Sequence, residues 1–547
     1  MTTPPPKEVE LKLALPPEQA AAFLKRMARR RTLKGTSTEP LHPEGHKHPE
    51  GHKQQDLVTR YFDTPDFALS AQGVALRVRR VGRRWLQTLK TEGERAGGLS
   101  RRVEFEMPVS KGTPDWTRFP PEALAYVPEA LRDQLVPQFE TRFHRTTWLL
   151  GGKRGAQIEV ALDVGEVVAG GRSQPICEVE LELKSGQPDA LFALALEWAA
   201  AFDCLPFDIS KAERGVRLAH GVATAPVKSV PLALDDGMSV EEGFAAIVQA
   251  CLAQFQANLP GVLGVLPLPL AGKGGEGEVA NAGPESVNEY VHQARVALRR
   301  LRAALRLFGK TCVLPPGLLD GLRTLAAALG PARDWDVLCG ETLSAIAPHY
   351  PDAESWQHGM QALELHRTGV RAAMRDALAQ AHPGAWLLAM QRWLLQHGWR
   401  VDPSGGTLTE AQRFVQLAPL DAWVNRALRK GHRPVVRGAR DFTTLSPVQC
   451  HALRIAIKRQ RYAAEFFQTL FKGARQARYL AVLRDAQDSL GRANDARIAS
   501  GLLTAMPAGT GPMRDFSLGW LAAKQADGAN GERAGLMRAF LKLKPYW

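Results

Sequence analysis

From Glu8 to Lys184 apolar and charged residues alternate with a period of two, run after run. In an extended strand alternate side chains share a face, so Glu8, Glu10 and Lys12 project together while Val9, Leu11 and Leu13 project the other way. Later runs divide in the same manner. Val58 to Phe62 leads into a turn at Pro65; Val74 to Arg80 sets Leu76 and Val78 against Arg77 and Arg79; Trp85 to Lys90 ends with Lys90 on the Leu86 and Thr88 face. Arg102, Glu104 and Glu106 oppose Val103, Phe105 and Met107, and Phe143 to Leu150 carries Arg145. Glu159 and Asp163 oppose Ile158, Val160 and Leu162; Glu178, Glu180, Glu182 and Lys184 oppose Cys177, Val179, Leu181 and Leu183. Such runs, separated by turns, predict an antiparallel barrel or sandwich.

Beyond Gly221 the period changes. Gly221 to Asp236, with Pro226 and Pro231, predicts a linker, and the rest reads as long helices rich in Ala, Leu and Arg, with a Gly/Pro-rich loop over Pro260 to Pro284. The expected architecture is α+β: a strand domain over 1–220, a linker over 221–236 and an all-α domain over 237–547. The helical half contains an internal repeat. His292, Arg295, Arg299 and Arg302 have spacings of 3, 4 and 3, and so do His451, Arg454, Lys458 and Arg461. Each set makes one helical stripe. Val291, Ala294, Leu298, Leu301, Leu305 and Phe308 beside the first, and Leu453, Ile457, Ala464 and Phe467 beside the second, are the predicted core faces. A matching segment follows each, Leu329 to Asp334 and Leu490 to Asp495, so the economical explanation is two copies of one helical unit.

A length of 547 residues predicts two to four domains, and a formal charge of +14 predicts an anionic partner. The six cysteines have no C-x-x-C spacing, which argues against a zinc site and a disulfide framework. No run reaches membrane-spanning length and Met1 to Lys7 has no apolar core, so the expectation is a cytoplasmic protein without a membrane partner. The hexapeptide His-Pro-Glu-Gly-His-Lys occurs twice in tandem, over 42–47 and 48–53, and reads as a solvated loop insertion.

On the strands the charges segregate by sign. Arg77, Arg79, Lys90, Arg102 and Arg145 lie on central strands, while paired carboxylates cluster on the first and last. A solvated face mixes signs within each strand. A closed barrel with a charged lumen explains the segregation better: bases on several walls surround a polyanion, and acidic strands at one side hold its metal, since paired carboxylates suit a hard divalent cation.

The motifs E-x-E-x-K at Glu8, YFDTPD (Tyr61 to Asp66), GVALRVR (Gly73 to Arg79), LDVGEV (Leu162 to Val167), EVELELKSG (Glu178 to Gly186) and SKAERG (Ser210 to Gly215) occur in an order and spacing that resembles the CYTH family of triphosphate tunnel metalloenzymes. The resemblance covers about residues 7 to 220. It implies an eight-stranded antiparallel tunnel that binds a triphosphate with Mg2+ or Mn2+. Glu8 and Glu10 match the metal-binding carboxylates, with Lys12 on phosphate, and these three are the expected catalytic residues. Arg77, Arg79, Lys90, Arg102, Arg145 and Lys211 match the phosphate-binding bases. Glu178, Glu180 and Glu182 complete the expected metal side, with Asp163 a weaker candidate and Glu104 and Glu159 weaker still.

The second half, about 237–547, resembles the CHAD family of helical domains through the H-x-x-R-x-x-x-R-R-x-R run at His292 to Arg302, its second version ending at Arg461, and LGPARDWDV at Leu329 to Val337. That resemblance implies binding of long-chain polyphosphate by His292, Arg295, Arg299, Arg302, Arg306, His451, Arg454, Lys458 and Arg461. The stripe from His292 to Arg306 is about 21 Å long at 1.5 Å per residue, which suits a chain of phosphates. The expected function is metal-dependent hydrolysis of inorganic triphosphate beside polyphosphate binding, with association with polyphosphate granules as a further expectation. Its rivals are hydrolysis of an organic triphosphate such as thiamine triphosphate or a nucleotide, adenylate cyclisation, and a polyanion-binding protein without catalysis. Nucleic acid is disfavoured because aromatic residues for base stacking are sparse along the basic helices.

Overall fold

The computed structural model describes residues 7–30, 52–222, 224–265, 284–402, 406–471, 473–506, 510–526 and 530–547. They fall into two compact units: 1–225, 263–286 and 382–396 in one, 226–262, 287–381 and 397–547 in the other. Of the tandem hexapeptide, only His52 and Lys53 lie among the described residues.

In the first unit eight strands close into an antiparallel barrel. They are β1 (Lys7–Ala14), β2 (His52–Asp63), β3 (Val74–Val81), β4 (Arg84–Thr91), β5 (Leu99–Val109), β6 (Val136–Gly151), β7 (Gln157–Ala169) and β8 (Arg172–Ser185). The strand order is β1-β8-β7-β6-β2-β3-β4-β5, and β1 pairs again with β5 to complete the circuit. Closure leaves the charged face of each strand only one place to go, the interior. The outward apolar face is covered by helices on one side: Leu11, Leu13, Leu162, Val179 and Leu181 pack with Phe23, Phe192 and Trp198 in a fully buried cluster.

Two motifs owe their composition to the fold. Asp63 of YFDTPD accepts hydrogen bonds from Thr64 N (2.8 Å), Leu69 N (2.9 Å) and Ser70 N (2.9 Å), which caps the short helix Ala68–Ala71. SKAERG opens the helix Lys211–Ala219: Ser210 caps it by accepting from Glu213 N at 3.1 Å, and Ala212, Val216 and Leu218 pack with Phe139, Phe143 and Ile176. Gly215 faces Phe139 so closely that a Cβ there would lie 2.1 Å from the ring.

Residues 382–396 come from the second half of the sequence but belong to the barrel unit. Their helix, Pro383–Leu395, lies along the helix Asp189–Phe202. Leu388 joins the barrel-side core, and Arg392 grips Asp189 through Nε (2.5 Å) and Nη2 (2.8 Å) with Gln396 on the same carboxylate.

The second unit is helical. Its helix Val240–Leu263 runs through Pro260, where the sequence predicted a loop. Val291, Ala294, Leu298, Leu301 and Phe308 on the His292 helix (Pro284–Phe308) are buried, as are Leu453, Ile457, Ala464 and Phe467 on and just after the His451 helix (Pro447–Phe466). Glu241, 3% exposed, is held by Trp399 Nε1 (2.8 Å), Arg400 Nη2 (2.8 Å) and Arg413 Nη1 (2.7 Å). Burial opposes its charge, yet these donors bring its pKa down to about 2.

Because the Phe139 ring is fixed between the plugging helix and Tyr61, Gly215→Ala is expected to destabilise the first unit by about 1–3 kcal/mol, an overpacking cost. Chemical denaturation of the variant measures it; unchanged stability would show that the helix shifts freely in the barrel.

Candidate functional site

The strand registers fix which charges meet. Across β1 and β5, Glu8 stands opposite Arg102; across β1 and β8, Glu10 stands opposite Glu182 and Lys12 opposite Glu180. Lys90 faces Glu104, and Arg145 faces Asp163. The lumen is a cavity of about 510 Å3. Its lining holds nine Lys or Arg side chains (Lys12, Arg77, Arg79, Lys90, Arg95, Arg102, Arg145, Lys184, Lys211) and nine carboxylates (Glu8, Glu10, Glu92, Glu104, Glu106, Glu159, Glu180, Glu182, Glu213). Equal numbers mean that a polyanion entering this space brings charge that the lining alone does not neutralise.

The charges form distinct groups. On one wall Glu8 receives Lys90 Nζ (3.1 Å) and Arg102 Nε (3.0 Å), and Glu10 receives Arg102 Nη2 (2.7 Å). Burial works against ionisation of Glu8, but Lys90 and Arg102 hold it well below the usual carboxylate range. Glu10 goes the other way: burial, then the neighbouring Glu180, raise its pKa despite Arg102. A carboxylate in that state gains from a further cation. On the opposite wall Arg145 clasps Asp163 with both arms (2.7 and 2.6 Å) and also reaches Glu180.

Asp163, Glu178 and Glu180 have carboxylate oxygens within 4.8 Å of one another, close enough for a metal ion. The ammonium of Lys211 already sits among them, 2.7 Å from Asp163, 2.7 Å from Glu180 and in contact with Glu178. Arg214 adds a second cation to Glu178. Burial disfavours the charge on Lys211, yet the three carboxylates raise its pKa. This triad therefore holds a protein cation, and Asp163 and Glu178 do not line the cavity.

Two guanidiniums stand out as incompletely paired. Arg79 donates to Thr59 Oγ1 at 3.1 Å and has no ion pair among the described residues; burial, then Arg77 and Arg145, pull its pKa down to about 10. Arg77 has a long contact of 3.5 Å with Glu104, and its buried Nε has no hydrogen-bond partner. Together they form a patch of positive charge that a phosphate would satisfy. Of the tunnel residues expected from sequence, Glu8, Glu10, Lys12, Arg77, Arg79, Lys90, Arg102, Arg145, Glu180, Glu182 and Lys211 line the cavity. Arg95, Lys184, Glu213 and Tyr61 line it too and were not singled out. Arg95 sits on a three-residue strand with no alternation to read, and it bonds Glu213 at 3.1 Å.

In the second unit the two basic stripes meet. Lys458 lies within electrostatic reach of Arg295 and Arg299 from the other repeat as well as Arg454 and Arg461 of its own; burial, then these guanidiniums, pull its pKa down to about 8. Burial and Arg333 pull His292 down to about 4. Nε of Arg299 and of Arg454 is buried without a hydrogen-bond partner. Arg461 is tied to Gln487 (2.9 Å) and Glu465, and Arg295 has a long contact of 3.9 Å with Asp334. Arg302, Arg306 and His451 are exposed.

The family model of the CYTH domain matches residues 6–216, and that of the CHAD domain matches residues 246–504. An inorganic triphosphatase of Haemophilus influenzae is 38% identical over 159 residues, 29% of this chain and 44% of that protein, so the match spans less than half of the relative. Among solved structures, the CHAD domain from the plant Ricinus communis is 28% identical with a TM-score of 0.47, covering 59% of this chain and 98% of its own. PptA from Streptomyces chartreusis is 18% identical with a TM-score of 0.35, covering 56% of this chain and 99% of its own.

The triad geometry makes a stability prediction. Lys211→Met leaves Asp163, Glu178 and Glu180 with only Arg145 and Arg214 as counter-charges and is expected to cost up to about 3 kcal/mol near neutral pH. In the wild type Glu180 is held well below its usual range, with burial opposing and Lys211 and Arg145 prevailing, so its stabilising contribution fades as pH falls. Without Lys211 the pull that keeps Glu180 ionised is weaker, so the variant has less of that contribution to lose and its deficit should shrink on acidification. Denaturation across pH measures both; a deficit independent of pH contradicts the assignment.

Proposed function

The chain joins a CYTH domain to a CHAD domain, and from that premise we propose that the barrel hydrolyses inorganic triphosphate with a divalent metal and that the helical unit binds long-chain polyphosphate. The observation that carries the first part is the pairing pattern in the lumen: Arg77 and Arg79 are incompletely paired, and Glu8, Glu10 and Glu182 line the same cavity, Glu10 standing directly opposite Glu182. The matching stretch of an inorganic triphosphatase supports it.

In this reading the phosphate chain lies on Arg77 and Arg79, with Lys12, Arg145 and Arg95 along its path. Glu8, Glu10 and Glu182 face Mg2+ or Mn2+, whose hard-acid preference fits an all-carboxylate set. When bound there, such a cation would neutralise charge at the phosphate oxygens and make a nearby water more acidic. Lys90 and Arg102 hold the Glu8 and Glu10 side chains in place. Glu10, crowded by burial and by Glu180, is the lining carboxylate that gains most from a cation beside it. Water adds to the terminal phosphorus, the P–O–P bond breaks, and orthophosphate and pyrophosphate leave.

The lining favours a substrate without an organic head group. Among the described residues Tyr61 is the one aromatic side chain of the lining, and one face of its ring is taken by Phe139 at 4.6 Å. For the helical unit, the support is the crowding of Arg295, Arg299, Arg454 and Lys458, whose mutual repulsion an anion would relieve. The chemistry fits a cytoplasmic setting, where both inorganic substrates would be met.

Phosphate release from tripolyphosphate, ATP and thiamine triphosphate, with Mg2+ or Mn2+, tests the catalytic part. Tripolyphosphate is expected to be the preferred substrate, and Glu8→Gln/Glu10→Gln to lower the rate roughly a hundredfold or more. A faster rate on an organic triphosphate would overturn the substrate assignment; no metal-dependent release from any of them would leave a polyanion-binding protein.

A further inference from the structure

Outside the cleft between the two stripes, one face of the second unit carries a cationic row that neither repeat motif includes. The helix Leu420–Arg440 buries Leu420, Val424, Leu428, Val435 and Ala439, and turns Arg426, Arg429, Lys430, Arg433, Arg437 and Arg440 outward. All six are exposed, and none has a hydrogen bond or ion pair through its side chain with another described residue. Their spacing of 3, 1, 3, 4 and 3 keeps them on one side of the helix. From the first to the last is about 21 Å at 1.5 Å per residue. Unpaired like charges at i+3 and i+4 destabilise a helix, so the row is held by burial of its other face and gains from an external anion.

We infer that this face is a second docking track for long-chain inorganic polyphosphate, separate from the cleft on the neighbouring His451 helix. The inference rests on the polyphosphate reading of the helical unit and extends it. Three observations favour this occupant. Five of the six cations are Arg, whose planar fork matches phosphate oxygens in pairs. The two aromatic rings on the helix, Trp423 and His432, are half-buried against the interior, Trp423 stacked with Phe308 and His432 bonded to Tyr479, so no outward ring is offered to a base. The apolar face of the helix is spent on the core, which removes the means of lying in a membrane surface.

The track and the cleft are on adjacent packed helices. Packed helix axes are about 8–10 Å apart, so one long chain can engage both. Simultaneous engagement turns the second contact into an intramolecular one and raises affinity with no new group. A chain just long enough to fill the cleft gains nothing from the track. The structure thereby builds in a preference for length, which a tunnel for short chains would not supply.

Binding of short-chain and long-chain polyphosphate to the full-length protein, followed across salt concentration, tests this. Arg429→Gln/Arg433→Gln/Arg437→Gln alters exposed positions only, and circular dichroism checks that it folds. It is expected to leave short-chain affinity unchanged, to weaken long-chain affinity tenfold or more, and to reduce the slope of log K against log salt by about two. A companion variant, Arg295→Gln/Arg299→Gln, should weaken both lengths. Long-chain affinity and salt slope unchanged in the first variant, with loss in the companion, overturn the track but leave the polyphosphate reading intact. A wild type that binds neither length overturns both. If mixed-sequence RNA displaces long-chain polyphosphate from the track at equal phosphate concentration, the occupant has been wrongly chosen.

Discussion

Charge buried inside a closed barrel must be paired, and that requirement organises the first unit. An unpaired ion taken out of water costs several kcal/mol, so eighteen ionisable side chains can share a lumen only if nearly every one finds a partner. The barrel meets this by register: opposing strands set Glu8 against Arg102, Lys90 against Glu104 and Arg145 against Asp163. Arg79 has no ion pair among the described residues, Arg77 has only a long one, and Glu10 is crowded by Glu180, so a ligand's charge belongs beside them.

Lys211 links that electrostatic order to the fold. It arrives on the first turn of a helix that closes one part of the barrel, and its ammonium unites carboxylates from β7 and β8. Each residue of SKAERG contributes to this arrival: a cap, the ammonium, an apolar contact, a partner for Arg95, a partner for Glu178, and clearance over Phe139. The same logic recurs in the second unit with opposite outcome. There guanidiniums from both repeats crowd around Lys458 without enough carboxylates, so the surface is left with an excess of positive charge. One unit balances the charges of its lumen; the other leaves an excess of positive charge on its repeats.

Much of this was legible in the sequence because strand alternation and helix stripes are local. The face of each strand, the two repeats and the inward set from Glu8 to Glu182 follow from periods of two and 3.6. What depended on the chain returning to itself was not legible. Nothing local says that Lys211 would occupy the space between Asp163, Glu178 and Glu180, so Glu178 and Glu180 read as equivalent to Glu182. The apolar helix Pro383–Leu395 looks like its neighbours, and only Arg392 on Asp189 and Leu388 in the core reveal that it packs in the barrel unit. Pro260 read as a break, yet the helix continues past it to Leu263 at the cost of one hydrogen bond to the carbonyl of Gln256. The row on Leu420–Arg440 was passed over because a basic helical face is by itself ordinary.

The central claim is that Lys211 fills the deep triad and leaves the metal to Glu8, Glu10 and Glu182. Anomalous scattering from Mn2+ in crystals grown with a non-hydrolysable triphosphate addresses it directly. The account predicts a peak beside Glu8 and Glu10, with the Lys211 ammonium still within hydrogen-bond distance of Asp163 and Glu178. A peak between Asp163, Glu178 and Glu180, with Lys211 displaced toward the phosphates, would contradict it.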